Sequence, residues 1–91
     1  MRYRKKPIVI EAVQWDGTAE GATPIINWML KNNTTCRYID TVETVDPQSI
    51  YIDTLEGTMR CSTDDWVIRG VSGEFYPCKP TIFDATYEPA E

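Results

Sequence analysis

Histidine is absent from this 91-residue chain, and no apolar run is long enough for a membrane-spanning helix. Without histidine, the nucleophile–base pairs built on Ser-His or Cys-His cannot form. Gly-x-Gly-x-x-Gly and Walker-type loops are also missing, which excludes phosphate binding by a strand–loop–helix unit. These absences remove many hydrolytic and nucleotide-dependent activities from consideration.

Cysteine is scarce, and the three that occur (Cys36, Cys61 and Cys78) form no Cys-x-x-Cys pair. With no histidine to complete a ligand set, the spacing does not predict a structural zinc site. The odd count argues against the disulfide framework of a secreted protein. We therefore expect all three to be small apolar residues in strands, and we expect no metal and no cofactor.

Positive charge is sparse outside the first six residues. Those six hold Arg2, Arg4, Lys5 and Lys6, so residues 7–91 carry five cations against fourteen carboxylates, a net charge of −9. An acidic body repels a phosphate backbone, so nucleic acid is not an expected partner. We call residues 1–6 the basic arm. Two interpretations of it stay open: a solvent-exposed segment that precedes the first strand, or a segment that contacts an anion or an acidic neighbouring subunit.

The length and the composition fit one soluble domain spanning residues 1–91, with 42% hydrophobic and 25% charged residues. A chain this short buries only roughly two-thirds of its unfolded surface, and a homo-oligomer is one way to extend a small core. Glu11, Gln14 and Asp16 interrupt the first apolar stretch, so it does not predict a signal peptide. We expect a location in the cytoplasm of whatever cell makes the protein and no contact with membranes.

One helix is predicted over about residues 23–32. Thr23 is a good N-cap, and Pro24 suits the first helical position. Apolar residues then recur at helical spacing up to Leu30, and two asparagines, Asn32 and Asn33, suit a left-handed cap.

Five to seven short strands are predicted around this helix. Two hairpins are expected, one with its turn at residues 55–57 and one with its turn at residues 70–73. Further strands are expected over residues 8–15, 34–39 and 81–87, with a polar turn at residues 40–48. The spacing predicts an α+β fold in which one antiparallel sheet curls into a roll or small open barrel with the helix packed on it.

The second hairpin carries the candidate ligand-binding residues Arg69, Glu74, Tyr76 and Lys79. If its turn sets Arg69 on the face of Glu74 and Tyr76, with Lys79 close beyond, these groups together bind an anion or a small polar ligand. The alternative is a cross-strand ion pair beside an aromatic residue, which is common and contributes little energy.

Catalysis by carboxylates has one obvious candidate pair, Asp64 and Asp65. Adjacent residues point apart, so an acid that accepts hydrogen bonds from nearby turn amides is the favoured interpretation. We predict that the protein is not an enzyme. A small hydrolase that uses Asp65 or Glu74 stays as the third alternative.

Three segments resemble small phage and prophage proteins. They are YRKKPIVIEAVQW (residues 3–15), TLEG (residues 54–57) and DWVIRGVSGEFYPCKPTIFDATY (residues 65–87). The chain departs from that pattern at residues 63–66, where it reads Thr-Asp-Asp-Trp and the family often has Pro-Gly-Asp-Trp or Pro-Gly-Asp-Tyr. The resemblance implies a viral accessory protein made in a bacterial host, and it carries over no catalytic residue.

Two classes of function follow from these observations. The first is a non-enzymatic binding module for a small polar or anionic ligand or for a host protein, with a counter-defence role. The second is a minor virion or assembly protein.

Overall fold

The computed structural model describes residues 1–4, 7–40 and 48–90, and within them the chain forms six strands and two helices. In chain order these are β1 (Glu11–Gln14), α1 (Ala19–Lys31), β2 (Cys36–Asp40), β3 (Gln48–Thr54), β4 (Gly57–Cys61), β5 (Trp66–Arg69), β6 (Phe75–Cys78) and α2 (Pro80–Thr86). The predicted α+β class is confirmed. Neither helix is long and apolar enough to cross a membrane. Lys5, Lys6 and residues 41–47 of the predicted polar turn lie outside the described residues.

The six strands form two antiparallel three-stranded sheets, so the prediction of a single curled sheet is wrong. Sheet 1 has the order β1-β5-β6, and sheet 2 has the order β2-β3-β4. Both predicted hairpins, β3–β4 and β5–β6, are confirmed. A continuous roll would require β4 to pair with β5, but β5 lies between β1 and β6 instead. The chain therefore leaves sheet 2 after Cys61 and enters sheet 1 at Trp66.

A buried carboxylate holds the bend between the two sheets. The side chain of Asp65 is 3% exposed, and its Oδ2 accepts hydrogen bonds from Ser62 N and Lys79 Nζ, each at 2.9 Å. Trp15 N donates to Asp65 O at 3.0 Å, and Asp64 N donates to Trp15 O at 2.8 Å. The end of β1, the β4–β5 turn and the residue before α2 consequently meet at Asp65.

Helix α1 begins at Ala19, four residues before the predicted start. Thr18 is the N-cap: its Oγ1 accepts a hydrogen bond from Gly21 N at 2.9 Å. Asp16 Oδ1 orients this cap by accepting from Thr18 N at 2.9 Å and from Thr18 Oγ1 at 2.7 Å. Pro24 therefore lies inside the helix, where it removes one backbone hydrogen bond. The predicted cap, Thr23, is therefore wrong, and Thr18, which Asp16 orients, takes its place.

The last predicted strand, residues 81–87, is wrong, because this segment forms α2. Pro80 takes the first helical position, for which its fixed φ is suited. Phe83 and Tyr87 are four residues apart, with ring centroids at 5.1 Å, and Phe83 stacks on Trp66 of β5 at 4.0 Å and 7°. Phe83 and Tyr87 fit the two-residue alternation of a strand as well as the four-residue spacing of a helix. The chain adopts the helix, and Phe83 contacts β5 in that conformation.

The main core lies between α1 and the two sheets, and its buried residues come from all three and from the segment after β1: Trp15, Ala22, Ile25, Met29, Ile50, Ile52, Cys61, Val67 and Phe75. Trp28 of α1 meets the ring of Phe75 edge-on, with centroids at 4.8 Å. Strand β5 is buried on both faces, because Val67 joins this core while the adjacent Ile68, also 0% exposed, points to the opposite side. That opposite side of sheet 1 is the one on which α2 packs.

The cap of α1 predicts a dependence of stability on pH. Hydrogen bonds from the Thr18 hydroxyl and amide lower the pKa of Asp16 below its usual value. Ionised Asp16 thus stabilises the folded chain above its unfolded pKa, and this contribution is lost as the pH falls through the lower folded pKa. We expect Asp16→Asn to reduce the free energy of unfolding near neutral pH and to flatten its decline below about pH 4.

Urea denaturation of both proteins over a series of pH values measures this effect. Asp84→Asn, at an exposed position of α2, is the matched control and should keep the wild-type slope. Equal slopes for wild type and Asp16→Asn would contradict the prediction.

The β4–β5 turn predicts a second effect, at Asp64. Its φ is 71°, in the left-handed region that glycine adopts freely and that a β-branched residue adopts only with strain. We expect Asp64→Val to lower the free energy of unfolding by about 1–2 kcal/mol, and Asp64→Gly to change it by less than about 1 kcal/mol. Thermal and urea unfolding provide the measurement, and a valine variant as stable as the glycine variant would refute this account of the turn.

Candidate functional site

The register of the β5–β6 hairpin separates the predicted site residues. Arg69 pairs with Phe75, so these two side chains lie on one face, while Glu74 and Tyr76, which flank Phe75, point to the other. The guanidinium carbon of Arg69 is 5.9 Å from the centroid of the Phe75 ring, and its Nη1 is 3.9 Å from Glu11 Oε1. The structure therefore does not bring Arg69 together with Glu74 and Tyr76.

Lys79 lies apart from the other three candidates. Its ammonium group donates to the buried Asp65 carboxylate at 2.9 Å, which gives it a structural contact at the junction of the sheets. The prediction that an acid of the Asp64–Asp65 pair accepts from a nearby amide is confirmed for Asp65, which binds Ser62 N.

Glu74 and Tyr76 line a cleft between β6 and the tip of the β3–β4 hairpin, which we call the hairpin cleft. Its volume is about 310 Å³, and it is lined by residues 54–56, Met59 and residues 74–76. This volume is at the lower end of the range of small-molecule sites. Sequence reasoning did not assign Met59 or residues 54–56 to a site. No motif or residue spacing had marked these residues as part of a site.

The wall of the hairpin cleft is apolar and its charged groups are acidic. Leu55, Met59 and Phe75 supply the apolar surface, and Glu56 and Glu74 supply two carboxylates. Among the described residues, no lysine or arginine lines this cleft. The arrangement favours a ligand that combines an apolar group with a positive charge.

Gly70 leaves the space that the Glu74 carboxylate occupies. A Cβ atom at residue 70 would overlap Glu74 Oε1 and would lie 3.3 Å from the ring of Tyr76. The backbone closes the turn locally, because Gly70 N donates to Glu74 O at 2.7 Å and Gly73 N donates to Gly70 O at 3.0 Å. The orientation of the Glu74 carboxylate thus depends on a glycine in the turn.

The phenol of Tyr76 is a neutral hydrogen-bonding group. Burial raises the pKa of Tyr76 above its ordinary value, and the neighbouring hydroxyl of Tyr87, 3.5 Å away, raises it further. The group therefore remains protonated at physiological pH. It is suited to donating or accepting a hydrogen bond, and it does not add a charge to the cleft.

Arg69 faces a second cavity, which we call the turn cleft. It has a volume of about 240 Å³ and is lined by residues 9–11, residues 69–71 and Gly73. The Nε atom of Arg69 is buried there without a hydrogen-bond partner. Glu11 places a carboxylate beside the same guanidinium group, which opposes the binding of an anion.

The three cysteines lie in strands, as predicted. Cys36 is in β2, Cys61 in β4 and Cys78 in β6. Burial raises the pKa of all three thiols, that of Cys61 to about 12, so the thiolate form is disfavoured at neutral pH. Over residues 1–4, 7–40 and 48–90, no group of three or more His, Cys, Asp or Glu side chains is arranged to hold a metal ion.

No protein-family model matches this chain, and comparisons with curated proteins and with solved structures give no match either. A functional conclusion therefore depends on the clefts that contain the predicted site residues and on the chemistry of their walls.

The contact between Lys79 and Asp65 predicts a loss of stability when it is broken. Lys79→Met leaves a buried carboxylate without its cation, while Lys79→Arg keeps the charge. The lysine is 58% exposed, so water replaces part of the lost interaction. We expect Lys79→Met to lower the free energy of unfolding by about 1–2 kcal/mol and Lys79→Arg by clearly less. Urea denaturation near neutral pH measures both values. Equal losses in the two variants would show that the charge at this position is not what matters.

Proposed function

We propose that this chain is a non-enzymatic binding module whose hairpin cleft binds a small ligand, or a side chain of a peptide, that has an apolar body and a cationic end. The observation that carries this proposal is the pairing of an apolar wall with two carboxylates, Glu56 and Glu74, in a cleft that no described cation lines.

The apolar wall supports the first half of the proposal. Leu55 is fully exposed and Met59 is 37% exposed, so both offer apolar surface to a ligand. Removal of such surface from water contributes roughly 25 cal/mol per Å². An aromatic or aliphatic group placed between them gains most of its binding energy in this way.

The two carboxylates of the cleft support the second half of the proposal, the cationic end of the ligand. A cation at an open rim gains only about 0.2–1 kcal/mol from a solvent-exposed carboxylate, so charge selects the ligand more than it strengthens binding. The phenol of Tyr76 adds a hydrogen-bonding group near Glu74. We expect weak, millimolar affinity for a small probe and tighter binding for a larger partner that makes further contacts.

The anionic ligand expected from the sequence required Arg69 and Lys79 beside Glu74, and these cations lie elsewhere. An anion site at the turn cleft is the second candidate, favoured by the presence of Arg69 in its lining. The phage origin, the host-protein partner, the counter-defence role and the virion role stay predictions.

Three probes of similar shape test the proposal: phenethylammonium, phenylacetate and 2-phenylethanol. We expect phenethylammonium to shift the amide resonances of residues 54–56 and 74–76 in two-dimensional NMR, with weaker shifts from 2-phenylethanol. Glu74→Gln should weaken the binding of phenethylammonium about 1.5- to fivefold, because one rim charge is lost.

Glu20→Gln removes one exposed carboxylate far along the chain, in the first turn of α1, and is the matched control with unchanged affinity. Preference for phenylacetate, with shifts centred on residues 69–71, would overturn the proposal in favour of an anion site at the turn cleft. Equal binding of all three probes would remove the role assigned to the carboxylates.

A further inference from the structure

The chain itself contains a segment with the chemistry that the hairpin cleft favours. Residues 1–4 read Met-Arg-Tyr-Arg, and they place an aromatic ring between two guanidinium groups. The Tyr3 side chain is 87% exposed, and its hydroxyl donates a long hydrogen bond, 3.8 Å, to Met1 Sδ. A large aromatic residue in this setting gains by packing against another surface.

The segment lies outside the regular secondary structure. Residues 1–4 and 7–10 lie outside any helix or strand, and β1 begins only at Glu11. A chain of ten residues has a maximum reach of roughly 33–36 Å, which is more than the 27 Å and 28 Å short axes of the protein. The radius of gyration, 14.1 Å, exceeds the roughly 12 Å of a compact chain of this length, and the long axis is 50 Å.

The N-terminal segment and the hairpin cleft carry opposite charges. Residues 1–6 hold four cations, whereas residues 7–91 carry a net charge of −9. In the cleft, Glu56 and Glu74 present carboxylates beside Leu55, which is fully exposed. In a pair of identical chains, the basic arm of one copy and the acidic cleft of the other attract each other. The long arginine side chains are able to reach carboxylates on either side of an inserted ring.

We propose that the hairpin cleft binds residues 1–4 of a second copy of this chain. The partner subunit's Tyr3 fills the apolar part of the cleft, and the partner subunit's Arg2 and Arg4 lie beside Glu56 and Glu74. Reciprocal exchange of the two arms gives a closed two-fold dimer with two such contacts. This inference rests on the proposed function, since it names the occupant of the same cleft.

A charge-swap experiment on the full chain tests the inference. Sedimentation velocity of the wild type should show a mass that rises from monomer towards dimer between about 10 µM and about 1 mM, the range of weak association. The arm variant Arg2→Glu/Arg4→Glu and the cleft variant Glu56→Lys/Glu74→Lys should each weaken this association at least tenfold. An equimolar mixture of the two variants should associate again, because each arm then meets a cleft of opposite charge.

The control variant Glu20→Lys/Asp84→Lys changes the net charge of the molecule as much as the cleft variant does, at exposed positions outside the cleft lining, and should associate like the wild type. Circular dichroism checks that each variant is folded; the arm variant changes only exposed residues outside every helix and strand. Failure of the mixture to associate, or a wild type that is monomeric at about 1 mM, would overturn the inference.

The phenethylammonium titration separates the two proposals. If the probe binds the hairpin cleft while the wild type stays monomeric, the arm is not the occupant and the proposed function stands. If neither probe nor arm binds, both fall. If the wild type is monomeric and Tyr3 gives concentration-independent NMR contacts to residues 54–56, the arm occupies its own cleft, and the second-copy inference is wrong.

Discussion

The carboxylate of Asp65 is the polar contact on which the arrangement of the two sheets depends. A buried charge is tolerated only with partners, and Asp65 has them from a turn amide and from the Lys79 ammonium group. Its backbone carbonyl also receives the amide of the buried Trp15. The end of β1, the start of β5 and the residue before α2 are thereby fixed relative to one another, and the β5–β6 hairpin is held beside the tip of sheet 2.

The β5–β6 hairpin, held in this position, directs its charged side chains to two opposite sides. The turn at residues 70–73 places Arg69 opposite Phe75, near Glu11 and the turn cleft. Glu74 projects to the other side, over Gly70 and into the hairpin cleft. One cavity is therefore acidic with an apolar wall, and the other contains a guanidinium group that a carboxylate already partly neutralises. The proposed preference for cationic, partly apolar groups follows from this division.

Local features were predicted where a short stretch of chain is sufficient to define them. Both hairpins, their turns and the end of α1 near Lys31 follow the sequence, and Asn33 takes the left-handed conformation expected of it, with φ of 63°. The predicted start of α1 at Thr23 was wrong, because Thr18, oriented by Asp16, caps the helix one turn earlier. The C-terminal strand was wrong because Phe83 and Tyr87 fit either period, and the stack on Trp66 is a contact far apart in sequence.

The sequence by itself determined the α+β class, the two hairpins and the chemistry that is excluded, since composition and turn residues act over a few neighbouring positions. Tertiary structure alone decided that the strands divide into two sheets, that Lys79 pairs with Asp65 and that residues 54–56 meet residues 74–76 in a cleft. The reason is physical: side chains alternate across a strand, so the register of one hairpin and its packing against another decide which charges share a cavity. Neither this register nor this packing is encoded in any single segment of the chain.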